Sequence, residues 1–277
     1  RYSAAVKKVS RDRELRIGFQ HFGNLGILKA RRSLEQAFAS RGVSVLWSEF
    51  PAGPQLLHAL ACDEIDFGTT GEAPPVFAQA NNSELVYVAW EPPAPQSVAM
   101  VVPQHSDIRT LTDLRGKRIA LNKGSNVHWL LLHILEEAGL GLHDVKVVYI
   151  PPKYPLTASD YLAVDAWMMW DPLLSDAEYS GELRVVASGE RRVNNHQFYL
   201  SRRDYASRNS DIMQRLLAEL AQTGQFIDQH REQAAGLLSA ELGLNAASLT
   251  RALSRRSHRP RPMDLNVIRA QQSIADR

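Results

Sequence analysis

The sequence has a single cysteine, Cys62, and so can form no disulfide within the chain. Neither an oxidising nor a reducing compartment is thereby excluded, and the residue is expected as a small packed hydrophobe on a helix. No run reaches the roughly 18 apolar residues of a membrane-spanning helix. The chain opens on Arg1-Tyr2-Ser3, with neither an initiator Met nor the apolar core of a signal peptide, as a processed precursor or a trimmed chain would. Lys is absent from residues 184–277, where Arg is frequent. Arginines scattered over helices ordinarily form a solvated face, and with a net charge of only +2 and no aromatic-basic module, nucleic-acid binding is not expected. The chain lacks a Gly-x-Ser-x-Gly elbow, a phosphate-binding P-loop and a His-Glu-x-x-His pair. One cysteine cannot make a zinc ribbon, His128 and His133 do not share a helix face, and Ser125 beside His128 has no third partner for nucleophilic catalysis. No catalytic residue, metal or cofactor is therefore expected. Tandem repeats and low-complexity runs are also missing.

What is present is alternation. A chain of 277 residues with 44% hydrophobic content can bury one large core or two modest ones, and strand and helix patterns succeed each other throughout, which favours two α/β lobes. Strands are expected over residues 15–19, 43–50, 65–68, 85–90, 97–102, 118–121, 145–150, 164–169, 183–187 and 198–200. Helices are expected over 25–39, 55–62, 111–116 and 127–138, with Pro74 and Pro75 in the first turn of another. From Asp204 onward the pattern is helical, at 212–230, 232–242 and 246–255. The Pro-rich stretch after Trp90 suits a crossing between lobes.

Several strands run into small or polar residues and then a helix. These are Gln20-His21-Phe22-Gly23-Asn24, Thr69-Thr70-Gly71-Glu72, Asn122-Lys123-Gly124-Ser125-Asn126 and Trp170-Asp171-Pro172, and in an α/β protein such strand ends collect at one edge. Turns before helices present unpaired N–H groups to an anion. The hydroxyls and amides of Thr70, Ser125 and Asn126 donate without charge, which suits an oxyanion that is never protonated, such as a sulfonate, sulfate or nitrate; the plainer alternative is that they are ordinary helix caps. Phe22, Trp129 and Trp170 could line an apolar slot, although the helical spacing of Trp129 favours core packing. Glu72 and Asp171 repel a bare anion. They suit helix capping, contact with an amino or hydroxyl group of a ligand, or a latch between lobes.

Taken together, the pieces Leu15-Arg16-Ile17-Gly18-Phe19-Gln20, Phe50-Pro51-Ala52-Gly53-Pro54-Gln55, Asp66-Phe67-Gly68-Thr69-Thr70-Gly71, Glu91-Pro92-Pro93, Lys123-Gly124-Ser125 and Val164-Asp165-Ala166-Trp167 through Trp170-Asp171-Pro172 make the chain resemble the periplasmic aliphatic-sulfonate-binding proteins of ABC importers, in the nitrate, sulfonate and taurine group. The resemblance implies a type II two-lobe periplasmic-binding-protein fold with central mixed sheets and a two-strand hinge. Residues 14–100 and 200–277 would form lobe I, and residues 101–199 lobe II. It further implies a monomer that captures an alkanesulfonate between its lobes and delivers it to the permease and ATPase of an importer. The ligand would be held by Gln20, Phe22, Asn24, Thr69, Thr70, Gly71, Glu72, Gly124, Ser125, Asn126, His128, Trp170, Asp171 and Gln197, using neutral donors for the SO3 group. A nitrate-, sulfate- or taurine-binding protein is the alternative within the group, and an enzyme resembling pyrimidine-precursor synthases the alternative outside it. A ligand-sensing regulator would need a DNA-binding module, for which residues 1–14 are too short. Where family members have an Ala-Asp-Ala-Arg-Ala-Ala-Phe helix, this chain has residues 153–162, and Pro155 argues against a regular helix there.

Overall fold

The computed structural model describes residues 13–79, 84–152 and 157–277. The expectations at Pro155 and for the residues ahead of the first strand lie outside the described residues. Two mixed sheets carry the fold. Sheet one holds β1 (Arg13–Phe19), β2 (Val43–Glu49), β3 (Phe67–Gly71), β4 (Leu85–Glu91), β10 (Gln197–Arg202) and the two-residue β11 (Arg261–Pro262), in the order β11-β4-β10-β3-β1-β2. Sheet two holds β5 (Val98–Pro103), β6 (Arg118–Leu121), β7 (Lys146–Tyr149), β8 (Ala166–Trp170) and β9 (Leu183–Ser188), in the order β7-β6-β8-β5-β9. Strands such as β5, with Val98 to Val102 all buried, read as continuous apolar runs because helices cover both faces of the sheet.

In each sheet the strand that follows a crossing is inserted antiparallel. β5, the first strand of sheet two, runs against β8 and β9; β10, the strand that returns, runs against β3 and β4. The crossings are residues 92–97 and 189–196, and they touch, with Ala94 N–H donating to Asn194 O at 2.9 Å. The expected lobe boundaries at 100/101 and 199/200 cut through β5 and β10, whereas both crossings lie a few residues earlier in the chain.

Helices α1 (Asn24–Arg31), α2 (Ser33–Ala39), α3 (Gly53–Ala61) and α4 (Ala73–Gln79) flank sheet one; α5 (Asn126–Glu137), the short α6 (Ala158–Leu162) and α7 (Leu173–Ser180) belong to the sheet-two half. The helical tail comprises α8 (Arg203–Arg208), α9 (Ser210–Gln229), α10 (Arg231–Leu242), α11 (Ala246–Ser254) and α12 (Leu265–Ala275). Helix α9 joins the core of sheet one, where Ile212, Met213, Leu216 and Leu220 pack with Leu25, Leu28 and Phe38. Helices α10 and α11 close a satellite core around Ile27. Helix α11 also reaches the other half: Arg255 pairs with Asp171 at 3.5 Å and, closely, with Glu178 on α7, and Arg251 lies 3.7 Å from Glu178.

Three local expectations change. The helix over 25–39 is two helices, broken where Arg32 takes a left-handed φ of 56° and its N–H turns back to Lys29 O. The third strand lies two residues later than expected, so Thr69 and Thr70 are strand residues, as β-branched side chains favour. Cys62 is exposed at the end of α3, with its Sγ 3.7 Å from His58 Nε2, and is not a packed hydrophobe. Residues 111–116 contain a short 3-10 turn over Leu111–Leu114, closed by Thr110 and Asp113. Helices α6, α7 and α12 went unread from the pattern. α6 lies in the stretch 153–162 where no regular helix was expected, and starts beyond Pro155 at the cap Thr157; α12 is capped by Asp264, whose Oδ1 accepts from Val267 N–H at 3.0 Å.

Candidate functional site

The carboxyl ends of the parallel strands in both sheets point at the junction between them, and the antiparallel insertions bring the amino ends of β5 and β10 to the same place. Gln20 follows β1, Gly71 and Glu91 end β3 and β4, and Gln197 starts β10. From the other half come Ser125 and Asn126 after β6, Trp170 and Asp171 at the end of β8, and Ser97 and Val98 at the start of β5. Such strand ends are where open α/β sheets bind ligands. The space between them forms two adjoining cavities. Both are lined by Gln20, Trp170, Asp171, Gln197 and Arg256. The first adds Gly53, Gly71, Pro74, Ser97, Val98, Ser125, Asn126 and Asn195. The second adds Phe22, Gly23, Asn24, Thr69, Glu91 and Tyr199.

Of the ligand candidates, Gln20, Phe22, Asn24, Thr69, Gly71, Ser125, Asn126, Trp170, Asp171 and Gln197 share these walls. Thr70, Glu72, Gly124 and His128 do not line either cavity. Thr70 is fully buried with its hydroxyl donating to Gly71 O at 2.9 Å. Glu72 sits behind the wall, where its carboxylate accepts Asn195 N–H at 2.8 Å and His196 N–H at 3.3 Å, and burial raises its pKa to about 7 against those two donors. His128 Nδ1 accepts Gly124 N–H at 2.9 Å, which fixes the loop whose left-handed turn, φ 75°, falls on that glycine. The Ser125 hydroxyl donates to Asn122 O at 2.6 Å, so it is not paired with His128. Trp129 packs against the core of sheet two, edge-on to His133.

Asn126 joins the two halves. Its Oδ1 accepts Ala73 N–H at 2.9 Å and its Nδ2 donates to Asn195 Oδ1 at 2.6 Å. Gly71 faces this amide so closely that a Cβ there would lie 2.2 Å from Nδ2. Asp171 acts both as a cap and as a latch. Its Oδ1 accepts from Ser175 N–H at 2.9 Å and from the Ser175 hydroxyl at 2.8 Å, while Arg255 approaches from the tail. Burial pushes its pKa up, and the Arg255 charge opposes the rise.

Several wall residues went unread in the sequence. Asn195 carries a signal, since its φ of 55° is one that asparagine tolerates. Ser97, 3% exposed, has a buried hydroxyl with no hydrogen-bond partner among the described residues. Arg256 departs from the expectation of a solvated arginine face: it lines both cavities, its Nη2 is a marginal 3.4 Å from Asn195 O, and its Nε is buried without a partner among the described residues. Glu91 is 3% exposed and takes the hydroxyl of Tyr199 in a close contact. Burial raises its pKa, opposed by the charge of Arg256. Among the described residues no cluster of three or more His, Cys, Asp or Glu is placed to hold a metal. Chemically, the junction offers donors and a poorly satisfied guanidinium, which suits an anion.

Residues 38–234 match the family described as NMT1/THI5 like. The chain is 39% identical over 278 aligned residues to an aliphatic sulfonates-binding protein of Escherichia coli, covering 98% of this chain and 85% of that one. Among solved structures it is similar to the alkanesulfonate-binding protein of Xanthomonas axonopodis pv. citri bound to MOPS, with a TM-score of 0.86, 39% identity and coverage of 95% and 91%. It is also similar to the periplasmic aliphatic sulphonate binding protein of Escherichia coli, with a TM-score of 0.81, 37% identity and coverage of 96% and 86%.

Proposed function

This chain belongs to the NMT1/THI5-like family, among its periplasmic sulfonate-binding proteins, and from that premise we propose that it captures organosulfonates in the cavity between its two sheets and hands them to an ABC importer. It is a binding protein and performs no covalent chemistry. The observation that carries the ligand assignment is the meeting of Arg256, with its unpartnered Nε, and Ser97, with its unpartnered hydroxyl, in one cavity. A sulfonate presents three acceptor oxygens and a charge that persists at every physiological pH. Hydrogen bonds to it are charge-assisted, worth about 1.5–3 kcal/mol each. A few of them give micromolar affinity, near −8 kcal/mol, after ordering costs.

In this reading Gln20, Ser97 and Arg256 hold the anion, and Trp170, Val98 and Pro74 bound the chain that bears it. Asn126 and Asp171 hold the lobes together through protein contacts and touch the ligand only at the wall. The working unit is a monomer of two lobes, the first formed around sheet one and the second around sheet two. The test is a thermal-shift titration of protein refolded free of ligand, in a buffer without sulfonate, using alkanesulfonates of increasing length with sulfate and nitrate alongside. Saturable stabilisation by alkanesulfonates alone is expected, since a ligand of the folded state stabilises by mass action. Stabilisation by sulfate or nitrate with none by alkanesulfonates would transfer the assignment to an inorganic anion.

A further inference from the structure

Each polar group of Asn195 meets a partner, and each partner comes from a different part of the molecule. Its N–H donates to Glu72 Oε1, just ahead of α4, at 2.8 Å. Its Nδ2 donates to Ala94 O, in the other crossing, at 2.8 Å. Its Oδ1 accepts from Asn126 Nδ2, at the start of α5, at 2.6 Å, and its carbonyl faces Arg256 Nη2 at 3.4 Å. The residue is 3% exposed and lines the first cavity. Its left-handed φ of 55° is uncommon outside glycine, and such a conformation persists where surrounding contacts hold it.

Position gives these contacts their meaning. Asn195 lies in the crossing 189–196, two residues before β10 begins. Glu72 and Arg256 belong to the half around sheet one and Ala94 to the other crossing, whereas Asn126 opens a helix of the half around sheet two. A ligand enclosed between two lobes enters when they part, by hinge motion at the segments that join them. Of the four contacts, the one to Asn126 spans the two halves, and so it is the one that parting breaks. It closes on the same residue whose carbonyl faces the guanidinium of the anion site.

We propose that Asn195 is a positioning residue for ligand capture: through Asn126 it docks the second lobe onto the crossing that faces Arg256. The proposal rests on the sulfonate reading above. The affinity of a cleft that opens and closes is that of its binding-competent form scaled by the fraction in that form, so a residue that favours closing tightens binding without touching the ligand. Asn195→Gly tests this, because glycine takes a φ of 55° without strain, keeps the N–H and the carbonyl, and deletes only the side-chain bonds. Calorimetric titration of the intact, ligand-free chain with butanesulfonate, in a buffer without sulfonate, is expected to show binding about tenfold weaker than in the unaltered protein. Asn126→Ala should weaken binding at least as much. Adding Asn195→Gly to Asn126→Ala should then change the affinity by less than about twofold, since both act through one contact. Losses that multiply in the double variant overturn the proposal, because Asn195 would then serve the ligand or the backbone without Asn126. So does an Asn195→Gly affinity within about twofold of the unaltered protein. If Asn195→Gly does not fold, Asn195→Ser, whose short hydroxyl cannot span the side-chain bonds, takes its place in the same cycle. In either overturning case the unaltered protein still binds butanesulfonate, and the sulfonate reading stands while the role of Asn195 falls. If the unaltered protein does not bind butanesulfonate, both fall.

Discussion

Arg255 and Arg256 are neighbours in sequence and opposites in use. The first is spent on protein carboxylates, bridging α11 to Asp171 and Glu178; the second has no ion pair among the described residues and meets only a marginal carbonyl contact. A guanidinium left this unsatisfied at a cavity wall is poised for an anion. Arg256→Gln, which keeps a donor and removes the charge, is expected to weaken alkanesulfonate binding about ten- to hundredfold, the loss of 1.5–3 kcal/mol. Calorimetry on a variant with unchanged far-ultraviolet circular dichroism measures it, and a change smaller than about twofold would show that the guanidinium serves Glu91 and not the ligand.

Elements meet most tightly where the start of α5 inserts Asn126 against the end of β3. A Cβ on Gly71 would overlap the Asn126 amide, so Gly71→Ala should displace it from Ala73 and Asn195 and hold the halves apart. Overpacking of this kind costs about 1–3 kcal/mol, and the expected outcome is an affinity lowered about tenfold, with a radius of gyration at saturating ligand larger than that of the unaltered protein. Small-angle scattering checks the second part; an unchanged radius would mean that Asn126 can turn aside without opening the cleft. Much of this junction was legible beforehand, because a strand that ends in small polar residues before a helix advertises itself: Gln20, Ser125 and Trp170 were each marked by such an ending. The arginine that turns inward was not legible. Nothing local distinguishes Arg256 from Arg251, and its role depends on an arrangement that brings it to Asn195 and Glu91 across long stretches of chain. The placement of Thr69 and Thr70 also misled for a tertiary reason, since β10 pairs with the residues up to Gly71 and so extends the strand past the point where its apolar run stops.

For the molecule as a whole, two buried groups set opposing pH dependences. His258 is fully buried with neither ring nitrogen bonded among the described residues, and burial lowers its pKa from the ordinary 6.5 to about 3. Because the unfolded chain binds the proton more readily, the stability from keeping this ring neutral is complete above pH 6.5 and is lost as pH falls toward 3, at up to about 1.4 kcal/mol per pH unit. Glu72 runs the other way. Its pKa rises from 4.5 to about 7 in the folded protein, so its contribution is complete below pH 4.5 and is lost as pH rises through 7. Between 4.5 and 6.5 the two slopes oppose each other. His258→Phe removes one of them, and relative to the unaltered protein the variant should gain about 1.6 kcal/mol on going from pH 6.5 to pH 5. Urea unfolding at both values measures this, and parallel losses would exonerate the histidine.

The backbone at His258 also holds Asn24 in place, so the cavity is walled by residues from opposite ends of the described chain. A polypeptide emerging N-terminus first completes both sheets with β10, apart from the short edge strand β11, well before Arg256 appears. Until that late segment docks, the pocket has neither its guanidinium nor the carbonyl that orients Asn24. On the proposed assignment, a chain cut before Arg256 lacks both groups and is expected to bind no ligand, however complete its two sheets are.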